Sequence, residues 1–292
     1  MTDTAATPWP GGSTAALVLN VMYEQWAPDA SPGLGPMGNP LPPGVVDHQA
    51  LSWAGYGART GVWRLLEFLE RESIAASFYA SGILTETAPD SVRAIVDGGH
   101  ELCAHSWSQD RIPAALTTSD ERDEIHRCAE ALERVSGQRP RGWISPRCTP
   151  SASTAELLAR AGFEWFGDVF DADLPYRLDT PGGSIVALPF GLEVNDLPMT
   201  VRYGQPTREL AKSFEFEATS LLRERRVGYV DVTVPAHVGG RPAGLAALAE
   251  IVSTARGLGM WIGTRGDIAD RFIDSESCES PAGGPGDGGG AR

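Results

Sequence analysis

Three titratable side chains stand where short apolar runs give way to irregular chain: Glu24 after AALVLNVMY, His105 after ELCA, and His237 after VDVTVPA. A carboxylate and two imidazoles are the residue types of general acid–base catalysis, because modest changes in surroundings bring their proton exchange near neutral pH. The same kind of position carries donors and walls: Gln25 beside Glu24, Trp107 and Gln109 after His105, Arg147 after GWISP, and Phe190, Asn195 and Asp196 around the next run's end. Arg147 and the amides of Gln25 and Gln109 suit a carbonyl that develops negative charge. Arg59, just before a helical pattern, is a candidate clamp on substrate or on a neighbouring subunit. The set needs no nucleophilic serine or cysteine, so it reads as hydrolysis by activated water. Structural readings compete with several of these. Trp107 and Phe190 fit a core as well as a substrate wall, Asn195-Asp196 fits a turn, Arg147 an ion pair, and Cys148 an inert thiol.

The elements that must position these groups alternate in type. Ala15–Tyr23, Ala75–Tyr79, Glu101–His105, Gly142–Ser145, Ile185–Phe190, Tyr229–Pro235 and Trp261–Gly263 read as strands. Between them, Val62, Leu65, Leu66 and Leu69 follow helical spacing, Ser91–Asp97 and Thr154–Ala161 stop at glycines, and Thr118 with Glu121 forms a capping box. Helices also fit 207–226 and 245–258. Strand–helix alternation at this length predicts an α/β fold, a distorted (β/α) barrel of roughly seven parallel strands. A barrel puts its chemistry at the ends of strands, where all the groups above fall. The Pro/Gly-rich segment from Trp26 to Ala54 is too long for a simple connection and is expected to lie over the site. Residues 1–12 are expected to be a flexible tail, 13–274 one catalytic domain, and 275–292 a disordered Gly/Ser/Pro-rich tail.

With 42% hydrophobic and 21% charged residues, the 292-residue chain can build a core, and its net charge of −14 excludes the clustered cations of nucleic-acid or anionic-membrane binding. Lys212 is the single lysine, which leaves one candidate for Schiff-base chemistry. Four scattered cysteines without CxxC pairs, no signal-like N-terminus and no long apolar run lead to the expectation of a cytoplasmic protein with free thiols.

Five stretches, in order, resemble the polysaccharide deacetylase (NodB-homology) superfamily, and more closely its subgroup of metal-independent allantoinases and cyclic imide hydrolases. They are YGARTGVWRLL (56–66), GHELCAHSW (99–107), 142–176 ending DADLPY, LPFGLEVNDLPM (188–199) and AHVGGRP (236–242). The resemblance implies a distorted (β/α) barrel from about Ala15 to Ile273. Glu24-Gln25 falls where the deacetylases have an Asp-Asp pair, base and metal ligand; His105 and Gln109 fall where they have two metal-binding histidines; His237 falls where they have a general acid. Ile144 stands where they usually have an arginine supporting the base. Neutral amides at two of three ligand positions bind a catalytic zinc poorly, so no metal and no cofactor are expected. The expected activity is metal-independent hydrolysis of a C–N bond in a cyclic amide, imide or ureide. Glu24 would activate water, His105 orient water or substrate, Arg147 polarise the carbonyl and His237 protonate the departing nitrogen. Gln25, Trp107, Gln109, Arg59, Phe190, Asn195 and Asp196 would contact substrate. The expected partners are a small-molecule substrate and further copies of the chain, as dimer or tetramer, with no nucleic acid and no membrane. Alternatives are a metal-dependent N-deacetylase of an amino sugar or small acetylated molecule, and a non-catalytic small-ligand-binding barrel.

Overall fold

The computed structural model describes residues 9–33, 35–38, 40–42 and 44–279. In chain order its elements are β1 (Ala15–Tyr23), α1 (His48–Ala54), a π-helical turn (Gly57–Gly61), α2 (Val62–Glu72), β2 (Ser77–Ala80), α3 (Leu84–Thr87), α4 (Pro89–Asp97), β3 (Glu101–Ala104), α5 (Thr118–Ser136) and β4 (Gly142–Trp143). Then come α6 (Thr154–Arg160), β5 (Trp165–Phe166), β6 (Tyr176–Thr180), β7 (Gly183–Ala187), a second π-helical turn (Leu197–Arg202), α7 (Glu209–Glu224), β8 (Gly228–Pro235), α8 (Ala236–Gly239), α9 (Pro242–Gly257), β9 (Trp261–Gly263) and α10 (Arg265–Glu279). Among the described residues no helix is long and apolar enough to cross a membrane.

One nine-stranded sheet runs β6-β7-β5-β4-β3-β2-β1-β8, with β9 also paired to the first half of β1, and every pairing but β6–β7 is parallel. The sheet curls until its ends meet: Asn195 bridges Thr233, the Thr233 N–H bonds Val194 O at 2.9 Å, and Tyr229 Oη donates to Pro189 O at 2.6 Å. This is the expected distorted barrel.

Period-two alternation decides what each strand shows to each side. In β1, Ala15, Leu17, Leu19, Val21 and Tyr23 join the large cluster packed under the helices, while Ala16, Val18 and Met22 join a second cluster inside the barrel. All nine residues are buried, because a parallel sheet sandwiched this way has no wet face. Inside the barrel Arg265 is fully buried and bonds Asp231 Oδ2 at 2.7 Å and Pro189 O at 2.8 Å. Asp231 also accepts from Asn20 Nδ2 and from Gly191 N, each at 2.8 Å.

Several expectations are corrected. The cap of α5 is Thr117, whose Oγ1 accepts from Asp120 N. Glu121 is drawn instead to the start of α6, where Ser151 Oγ (2.5 Å) and Thr154 Oγ1 donate to its carboxylate. The β6–β7 hairpin turns at Pro181-Gly182, a turn signal that the sequence reading passed over. Residues 9–12 belong to the fold: Trp9 is buried, stacks on Trp261 at 5.6 Å and donates to Gly228 O, a large aromatic surface that is stabilising only when docked. The last helix continues to Glu279, past the expected start of a tail at 275, and Glu276 pairs with Arg177 at 2.6 Å. The rest of the two expected tails, 1–8 and 280–292, lies outside the described residues. The 26–54 segment is not irregular throughout: Asp47 Oδ1 caps α1 through Ala50 N.

Candidate active site

Alternation carried one step past β1 and β3 aims Glu24 and His105 at a common mouth, and the short helix α8 that follows β8 brings His237 to it. Glu24 follows the inward parity of Asn20 and Met22, and His105 that of Cys103, whereas His237 sits in the first turn of α8, two residues past β8. The result is a carboxylate between two imidazoles: Glu24 Oε1 lies 3.9 Å from His105 Nε2, and Oε2 lies 3.9 Å from His237 Nδ1. Both distances exceed a hydrogen bond, which leaves the carboxylate uncommitted. The Glu24 side chain is 11% exposed and the two histidines 3% and 2%.

Each histidine has a fixed role in this geometry. His105 Nδ1 is 2.6 Å from Ile144 O, and since a carbonyl only accepts, Nδ1 bears a hydrogen and Nε2 is the ring nitrogen that faces Glu24. Burial lowers the His237 pKa to about 4, Glu24 pulling it up and Arg241 pushing it down. His237 is therefore a neutral imidazole at neutral pH, a poor match for the proton donor expected from the sequence. Its Nε2 has no partner among the described residues. Trp53 meets the ring edge-on at 4.3 Å and Trp26 at 6.2 Å, so the long 26–54 segment does reach the site. Behind it the π-helical turn presses on α8: a Cβ on Gly61 would stand 2.0 Å from Ala236 O.

The other expected site residues divide. Gln109 Nε2 donates to Ser81 Oγ (3.0 Å) and His105 O (3.2 Å), and Gln25 holds Ser81 Oγ through its N–H and Gln109 N through its carbonyl. The Gln109 side chain and the Gln25 main chain thus brace adjoining strand ends, while the Gln25 side-chain amide donates to Trp26 O at 3.4 Å. Trp107 points away from the mouth, into a small cluster with Ile83 and Ala131, with the Arg127 guanidinium 3.5 Å over its ring. Phe190 packs in the barrel interior, 5.5 Å from Arg265. Arg59 is exposed on the π-helical turn, and Arg147 is exposed with its guanidinium against Gly33. Neither arginine bonds Glu24, His105 or His237. Asn195 Oδ1 caps the following turn through Leu197 N, the turn role foreseen as an alternative. Asp196 is fully buried and both its oxygens lack a partner among the described residues. Burial, and then the Glu24 charge, raise its pKa well above the carboxylate range.

Sequence reading missed Asp168, Trp26 and Trp53. Asp168 is buried and accepts from Ser145 N (2.8 Å) and Ser145 Oγ (2.6 Å); burial raises its pKa to about 6, those bonds and His105 opposing. The strand before it, β5, has only two residues and leaves almost no periodic signal. Ser106, Arg147 and Cys148 all take positive φ (61°, 59° and 50°) at two strand ends of this mouth, where backbone strain commonly marks a site.

The donor chemistry does not fit a tightly held divalent ion. Among the described residues no group of three or more His, Cys, Asp or Glu could hold one, and the side-chain amides of Gln25, donating to Trp26 O, and Gln109, donating to Ser81 Oγ, are neutral and add no charged ligand.

Residues 54–166 match the polysaccharide deacetylase family model. A peptidoglycan deacetylase of Helicobacter pylori is 30% identical over 142 residues, 48% of this chain and 48% of its own length, so the match spans about half of that relative. Among solved structures, PuuE allantoinase superposes with a TM-score of 0.85 at 25% identity, covering 94% of this chain and 95% of that one. A probable polysaccharide deacetylase from Pseudomonas aeruginosa PAO1 superposes with a TM-score of 0.83 at 26% identity, covering 91% and 93%.

Proposed function

We propose that this chain, which carries a polysaccharide deacetylase (NodB-homology) domain, is a metal-independent hydrolase that opens a C–N bond of a small cyclic amide, imide or ureide. The observation that carries the reading is the uncommitted Glu24 carboxylate held between His105 Nε2 and His237 Nδ1, with amides in place of charged metal ligands. Glu24 takes a proton from water, whose oxygen attacks the carbonyl carbon. His105 Nε2 accepts from the same water and fixes its approach. A ring holds its amide cis and strained toward attack, which lowers the demand for a Lewis acid. The near-complete burial of the three groups, with Trp26 and Trp53 against His237, suits a small flat ring better than a sugar polymer. Arg147 and Arg59, exposed beyond the trio, fit contact with entering substrate or a second copy of the chain rather than catalysis. A cytoplasmic dimer or tetramer belongs to the same reading.

The test is turnover of chelator-treated protein, checked for metals by elemental analysis, on hydantoin, succinimide, allantoin and N-acetylated amino sugars. Ring opening undiminished by chelation is the expected result. Activity only on N-acetyl compounds, lost with chelator and restored by zinc, would replace this reading with the metal-dependent deacetylase that the Helicobacter pylori relative's name suggests. Ring binding without turnover would leave a binding module.

A further inference from the structure

A hydrolysis that breaks C–N needs a hydrogen for the departing nitrogen as well as a base for water, and the mouth holds few hydrogens to give. The His105 Nδ1 hydrogen is committed to Ile144 O. His237 is held unprotonated by its burial. Asp231 and Asp168 spend their oxygens on Asn20, Arg265, Gly191 and Ser145.

Asp196 differs from all of these. The backbone bridge from Asn195 to Thr233 anchors it at the closing seam of the barrel, beside the end of β8 from which α8 carries His237. The side chain is completely buried, no cation pairs with it, and both oxygens are unclaimed among the described residues. The charge that acts on it is Glu24, of the same sign. A carboxyl so placed keeps its hydrogen, because ionisation would bury an uncompensated charge beside another. As a neutral acid it has one O–H to donate and no acceptor among the described residues to receive it.

We propose that Asp196 is the proton donor of the reaction: its buried O–H delivers hydrogen to the departing ring nitrogen while Glu24 removes one from the attacking water. The proposal rests on the ring-hydrolase reading above. In the step, the water oxygen forms the new C–O bond, the C–N electron pair goes to nitrogen, and the Asp196 hydrogen completes the N–H. Glu24 ends protonated and Asp196 ionised, and transfer of that proton back through solvent restores both. Two carboxyls thus divide acid and base roles because their surroundings split their proton affinities.

The experiment compares wild type, D196N and H237Q on a series of imide and hydantoin rings of increasing nitrogen acidity, with infrared difference spectra of wild type against D196N at neutral pH. The expected results are a protonated-carboxyl C=O band that D196N removes, and a kcat loss in D196N of about 10²–10⁴-fold that shrinks as the nitrogen becomes more acidic. H237Q should keep the wild-type dependence on nitrogen acidity, a readout that stands even if D196N folds poorly. A missing band, an unchanged or uniform loss in D196N, or a newly steep dependence in H237Q would overturn the proposal. Wild type inert on every ring overturns the ring-hydrolase reading and this donor role with it; active wild type with an indifferent D196N overturns the donor role alone.

Discussion

The barrel contains two groups of charge, one around Asp231 in its interior and one around Glu24 at its mouth, and they are treated in opposite ways. Deep inside, Asp231 meets Arg265, Asn20 and Gly191, so both of its oxygens are satisfied. At the mouth, Glu24 stands 3.9 Å from each of two histidines and Asp196 has no hydrogen-bond partner among the described residues. Burial is nearly equal; what differs is partnering. A partnered buried carboxylate fixes the structure around it, whereas an unpartnered one is a store of unmet proton affinity. The backbone follows the same division. The strained positive-φ residues Ser106, Arg147 and Cys148 gather at the mouth, while Ser73 and Arg225 merely end helices.

The sharpest way to break the comparison is Glu24→Gln, which should cut kcat by about 10²–10⁴-fold without lowering the melting temperature. A variant that melts early while turning over normally would make the mouth structural. Asp231→Ala should show the reverse: it strands the Arg265 charge in the interior and should cost about 3–5 kcal/mol in denaturant unfolding. If D231A loses activity at full stability, the two regions are not distinct.

Proton linkage sharpens the same contrast. The folded His237 pKa, about 4, is below the ordinary 6.5, so between those values the unfolded chain binds a proton that the folded one refuses. This group's contribution is complete above pH 6.5 and is lost as pH falls toward 4. At about 1.4 kcal/mol per unit, His237→Gln should gain about 3 kcal/mol on wild type by pH 4 and nothing near pH 7. Stability curves of the two proteins that stay parallel from pH 7 to 4 would refute the desolvated imidazole.

Gly61→Ala, with its Cβ driven against Ala236 O, should cost about 1–3 kcal/mol and slow turnover by displacing His237; unchanged kcat would mean that the π-helical turn does not seat the imidazole. The smallest effect belongs to Arg147→Ala, a rise in KM of less than about tenfold with kcat nearly intact. A collapse in kcat would return Arg147 to the catalytic role expected from the sequence.

Much of the frame was legible in the residues. Strand β1 has the predicted bounds, α4 and α6 end at their predicted glycines, and Glu24, His105 and His237, read as groups at strand ends, meet at one mouth. The two-residue strand β5 left little to read, and so Asp168 was missed, whereas β4, as short, was found within the longer run 142–145. Trp107 illustrates a further limit. It follows His105 closely in sequence, yet Ser106 turns the chain through a positive φ, and the indole packs under Arg127 instead of facing substrate.

By itself the amino-acid order determined the alternation of strand and helix, the barrel, and the set of proton-exchanging types at strand ends, because periodicity and residue chemistry are local properties. Only the tertiary structure decided which of those groups are satisfied. Whether a carboxyl ends up beside Arg265 or beside nothing depends on contacts between residues far apart in the chain, such as Asp231 with Arg265 and Asn195 with Thr233. Desolvation, which sets the protonation of His237 and Asp196, arises only once those distant segments exclude water together.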